Sequence, residues 1–174
     1  MQDAFMLTDY CTGNAVPNRG SEANRQSFEK ILVDAKGYAR DQIRIDVPIE
    51  FTVHGEAYAS HIDMVITVDG KSAVAVKCCA GAMDSWDREI VTAARILEER
   101  PMPWALVTDG SRILFLDAVT GQVLHRDLNA FFTPEELKTA FSKRPPADPL
   151  PPDRLEKMRL IYRTYDTMNV NRVF

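Results

Sequence analysis

Asp63 and Lys77 are the two residues of this chain whose types and setting best fit chemistry. They flank Asp69-Gly70, a dipeptide that signals a tight hairpin turn, so they are expected on adjacent strands as a carboxylate beside an ammonium. Such a pair can bind charge and handle protons. Other candidates carry less. His54, His61 and His125 have no metal-ligand spacing, although His61 shares a strand face with Asp63. Cys78 falls on an apolar face and reads as a buried thiol, whereas Cys79 is the cysteine expected to be exposed. No second histidine–acid set supports either thiol as a nucleophile. There is no glycine-rich phosphate loop, HExxH or zinc-spaced CxxC.

Two registers are open to that hairpin. With Asp69-Gly70 alone as the loop, Lys77 falls on the face of Ile62 and Met64 and mixes charge with apolar groups. With Val68-Asp69-Gly70 as a three-residue loop, Thr67 faces Lys71. Ile62, Met64 and Ile66 then share an apolar face with Val74, Val76 and Cys78. Asp63 lies opposite Ala75, with Lys77 one diagonal step away. A one-residue slip would undo this sorting, which favours the second register. It directs Asp63 and Lys77 to the face away from the main core.

The surrounding elements are legible from periodicity and caps. Residues 1–20 lack periodicity and read as an arm. A helix opens at Ser21, an N-cap type, carries Phe28, Ile31, Leu32 and Ala35 at helical spacing, and stops at Gly37. Alternation from Ile43 to Val53 predicts a strand. Ser85 to Arg100 reads as an amphipathic helix with Ile90, Ala93, Ala94 and Leu97 on one face. WALVTDG and SRILFLDAVTG predict two more strands. Thr133 caps a helix with Pro134 at its first position. After the breaker KRPPADPLPPD, Arg154 to about Met168 predicts a last helix with Leu155, Met158 and Tyr162 as its packing stripe. The order implies an α/β (α+β layered) domain with a mixed sheet flanked by helices. The divisions are a 1–20 arm, a 21–145 core, and a 146–174 proline-rich linker with a helix that packs on the core.

Composition narrows the class. Of 174 residues, 45% are hydrophobic and 26% charged, as in an ordinary globular protein and unlike a disordered or collagen-like chain. No apolar run spans a bilayer, and the first ten residues do not form a signal peptide. Three cysteines, two of them adjacent, make no disulfide framework, so a reducing cytoplasm is the expected setting. Net charge is −4, yet Lys138 to Phe174 holds eight Lys and Arg against four Asp and Glu, leaving −8 on the rest. That surplus, Arg159 and Arg163 one helical turn apart included, suits either a phosphate contact or a solvated helix.

SEANRQSFEKIL, KGY, HIDMVI, VAVKC, ALVTDG and LDAVTG together resemble the PD-(D/E)xK nuclease core, most closely the N-terminal domain of type I restriction enzyme R subunits. The resemblance runs from about Ser21 to Val123 and implies a restriction-endonuclease-like fold. It also implies roles. Glu22 becomes an accessory acid and Asp63 a metal ligand. Lys77 becomes the group that positions water or steadies phosphate charge, with Arg25 and Arg88 bordering the site. The family's second acid should stand two residues before the lysine, where this chain has Ala75; Ile62 replaces a proline, and no glutamine-x-x-x-tyrosine follows. Phosphodiester hydrolysis in this style needs Mg²⁺. The expectation is therefore a stand-alone relative with lost or reduced nuclease activity. Glu89, 12 positions after Lys77, has two readings: a first-turn acid favoured by the helix dipole, or the missing ligand displaced onto the helix. The second would give an active Mg²⁺-dependent DNA endonuclease. A third reading of the chain is a protein-interaction scaffold. Oligomeric state is not encoded in these patterns.

Overall fold

The computed structural model describes residues 5–170. β1 (Met6–Thr8) and β2 (Ala15–Pro17) form a small antiparallel hairpin in place of the expected arm. α1 (Glu22–Lys30) runs into a π turn over Ile31–Ala35 and ends at Gly37, whose φ of 83° is the left-handed geometry that glycine adopts without strain. Ser21 occupies the cap position, but its hydroxyl makes no capping bond.

Six strands follow in the order β3 (Ile43–Val53), β4 (Glu56–Val68), β5 (Lys71–Cys78), β6 (Trp104–Thr108), β7 (Ile113–Asp117) and β8 (Val123–His125), each beside the next. Only β5 and β6 pair in parallel, and α2 (Asp87–Ile96) makes the crossover between them. The chain closes with α3 (Pro134–Lys143) and α4 (Pro152–Val170). Thr133 and Glu136 form a reciprocal capping box at α3, as the threonine–proline start implies. This is a six-stranded mixed sheet flanked by helices, the restriction-endonuclease-like α/β fold.

The sheet has a packed core on each face. Phe28 and Leu32 before the first long strand, Leu137 of α3, Met64, Ile66, Val74, Val76 and Phe115 fill one side. Val65, Ala75, Leu114, Ile90 and Ala94 of α2, and Met158 and Tyr162 of α4 fill the other. The face expected to point away from the main core thus carries a core of its own, and Asp63 and Lys77 sit at its end.

The hairpin departs from the expected three-residue loop. Val68 pairs with Lys71, so Asp69 and Gly70 alone make the turn, with φ of 49° and 78° as a type I′ turn requires. This is the register that would mix charge into the apolar face. A bulge corrects it: Thr67 faces Ser72 but Ile66 faces Val74, leaving Ala73 as the extra residue. Beyond Ala73 the faces sort as expected, with Val74, Val76 and Cys78 in one core and Ala75 and Lys77 on the opposite side. Asp63 consequently approaches Lys77 rather than lying opposite Ala75. Ile62 also differs from expectation, because it joins Val47 in the α2–α4 core while Met64 faces the α1–α3 core. The β3–β4 ribbon turns over between these pairs, where Asp46 adopts a φ of 50° and the ladder skips the Asp46–Asp63 step.

Candidate functional site

Asp63 stands where the ribbon turns over, and its Oδ2 accepts the Cys78 N–H at 2.7 Å. That bond fixes the carboxylate against the end of β5, beside Lys77. The Lys77 ammonium lies 3.8 Å from Asp63 Oδ2 and 3.1 Å from Glu89 Oε1, with the Trp86 ring 5.2 Å away on another side. Three residues named from the sequence, Asp63, Lys77 and Glu89, therefore meet. Burial works against the charge on Lys77, but the Asp63 and Glu89 carboxylates outweigh it and raise its pKa. Lys77 is an ammonium at neutral pH, a charge donor and not a base. Glu89 is 2% exposed; burial raises its pKa, while Lys77 and the Asn169 amide pull against that shift.

α4 adds groups that sequence reasoning misses. The Asn169 Nδ2 amide donates to Glu89 Oε2, and Asp166 Oδ2 accepts from the Tyr58 hydroxyl at 2.5 Å. A signal is present: Asp166 and Asn169 continue the helical stripe of Leu155, Met158 and Tyr162, so polar side chains fall where packing residues should. Trp86 packs against the α2–α4 core and also borders the lysine.

A cavity of about 620 Å³ opens over the group, with Glu22, His61, Asp63, Lys77, Asp166 and Asn169 among its walls. Glu89 lies behind that wall. The start of α1 is drawn to the cavity by Asn24, whose amide donates to Cys79 O at 2.8 Å. Asn24 also packs so closely on Gly110 that a Cβ there would lie 2.9 Å from its carbonyl oxygen.

Glu22 is held by Arg25 Nη2 at 2.7 Å and by the Gln26 amide at 2.7 Å. Arg25 is buried among Asp9, Glu22 and Glu29, all within 3.2 Å. Its guanidinium lines the cavity while bonded to its own carboxylates. Arg88 lies elsewhere, on a separate cavity of about 420 Å³, where it donates to the Tyr165 hydroxyl. Arg159 and Arg163 lie at the β3–β4 tip. The first stacks over Phe51 and the second pairs with Glu56 at 2.6 Å. Cys79 is 1% exposed rather than open to solvent, and burial pushes its thiol up to about 11, so it is no nucleophile.

The donor chemistry fits Mg²⁺. A hard cation takes one or two carboxylates and completes its shell with water and phosphate oxygens, for which the cavity has room. Among the described residues no cluster of three or more His, Cys, Asp or Glu side chains is arranged to hold a metal; the carboxylates beside Lys77 that could take a cation are Asp63 at the cavity and Glu89 behind its wall.

The family model described as "Type I restriction enzyme R protein N terminus (HSDR_N)" matches residues 20–131, well over half of the chain. The chain belongs to this family. No curated protein and no solved structure matches it. The matched segment of this R-protein N-terminal domain contains Asp63, Lys77 and Glu89 and ends before α4 begins. No helix among its described residues is long and apolar enough to cross a membrane.

Proposed function

We propose that this domain is a Mg²⁺-dependent DNA endonuclease of the PD-(D/E)xK type whose second acid has moved from position 75 to Glu89. The observation that carries the reading is the 3.1 Å approach of Glu89 Oε1 to Lys77, on the side where Asp63 also stands. Position 75, where the family's second acid would stand, holds a fully buried alanine and supplies no carboxylate. Asp63 and Glu89 are the residues that would hold the cation, which when bound supplies Lewis-acid polarisation of a phosphodiester. Lys77, kept protonated by its two carboxylates, offers a fixed positive charge to a phosphate in the cavity. Glu22 remains an accessory acid at the cavity rim, where it holds Arg25.

The test is cleavage of supercoiled and single-stranded DNA with Mg²⁺ or Mn²⁺ by the full chain and by Lys77→Ala, Asp63→Asn and Glu89→Gln. Cleavage lost in all three variants supports the reading. No cleavage by the unaltered chain with either metal sinks it and leaves the second reading, a scaffold with lost activity that binds DNA or a protein partner. One observation favours that second reading: Glu89 is 2% exposed and does not line the cavity.

A further inference from the structure

Moving an acid from a strand to a helix raises a problem of aim. A strand carboxylate two residues from the lysine is held by the sheet backbone, whereas Glu89 reaches the lysine on a side chain with three rotatable bonds. Something must choose its rotamer. Lys77 accounts for Oε1, and the group that holds Oε2 is the amide of Asn169, 80 positions away in sequence.

We infer that Asn169 is a positioning residue for the displaced acid and that the end of α4 works as its clamp. The inference rests on the nuclease reading above. Three observations carry it. Firstly, α4 is seated independently of the site, through Met158 and Tyr162 buried in the sheet's core, so packing and not the site sets where Asn169 stands. Secondly, the helix end is fastened again one turn earlier, where Asp166 accepts from Tyr58 of β4, the strand that also carries Asp63. Thirdly, Asn169 is 6% exposed and presents its donor to a carboxylate oxygen that would otherwise be buried without a partner. The clamp lies outside the segment that the family model matches, while the acid it holds lies inside it. The relocated acid and the group that holds it thus come from elements on either side of the end of the family match.

Mn²⁺ binding to the full chain, measured by isothermal titration calorimetry, tests the clamp without relying on turnover. Groups that hold a metal ligand in place typically govern affinity by 10–100-fold. Asn169→Ala is expected to weaken Mn²⁺ binding by about tenfold or more. In a Glu89→Gln background the same change is expected to have no further effect, because there is no carboxylate left to aim. Asn169→Leu, of similar size and without a donor, repeats the test should the alanine variant not fold, and thermal melting identifies the folded variants. Unchanged affinity in Asn169→Ala overturns the clamp and leaves the nuclease reading standing. A loss of equal size in the Glu89→Gln background also overturns it, because Asn169 would then act on the fold and not on the acid. If the unaltered chain binds no Mn²⁺, both readings fall together.

Discussion

Lys77 holds a positive charge with only 17% of its side chain exposed, and Glu89 beside it is buried to 3%. Each charge is tolerable because the other is present. Removing one leaves an uncompensated buried ion, which costs about 3–5 kcal/mol. Lys77→Met is therefore expected to destabilise the fold by about that much, read as a lower urea midpoint. A midpoint unchanged within error would mean that the triad is looser than its distances imply. Glu29 behaves differently. Burial, with Asp9 nearby, pushes its pKa up to about 7 despite Arg25. The folded protein thus keeps a proton that the unfolded chain releases near its ordinary value of 4.5. Unfolding in that window releases protons, so this group's contribution is fully present below about pH 4.5 and is lost as pH rises to about 7. Glu29→Gln should flatten the fall in stability between these values in a pH series of melts. An unchanged slope would remove Glu29 as its source.

Among the elements, the β4–β5 hairpin shows how one residue decides which side a functional group takes. The Asp69-Gly70 turn alone would send Lys77 toward Phe28 and Phe115, and the bulged Ala73 returns it to Asp63 and Glu89. Deleting Ala73 is expected to remove the bulge and leave a regular ladder in which Val74 still faces Ile66 and Lys77 stays beside Asp63. The measurable consequence is a retained cooperative melt and near-UV circular dichroism; loss of both would show that the faces of β5 are not set by the extra residue at Ala73. α4 is the second decisive element. Tyr162 is 2% exposed in the core, and truncating a large aromatic at such a site costs about 3–5 kcal/mol. Tyr162→Ala should lower the urea midpoint accordingly. A small effect would mean that α4 contributes little to the stability of the sheet beneath it.

At the scale of the whole molecule, charge is unevenly spread, with +4 on Lys138 to Phe174 and −8 on the rest. Arg163 and its partner Glu56 are both substantially exposed, at 34% and 65%, and such a pair contributes about 0–1 kcal/mol, so phosphate can displace the glutamate readily. We expect Arg159 and Arg163 to touch the DNA backbone, and neutralising both should reduce the salt slope of binding by about 0.9 for each phosphate that they neutralise. An unchanged slope across a salt series would leave them as packing groups over Phe51 and Tyr58. The bounds of β3, the capping box of α3, the buried Cys78 and the stripe of α4 are all legible in the sequence, because alternation, caps and helical spacing are local properties of the chain. So are Asp63 and Lys77 as a pair, since a hairpin brings near neighbours together. The meeting of Glu89 with Lys77, the reach of Asn169 across 80 residues and the correction made at Ala73 are decided only in the folded structure. Each depends on where a helix docks or how a ladder absorbs an extra residue. Those outcomes follow from packing between segments distant in sequence, which no local pattern specifies.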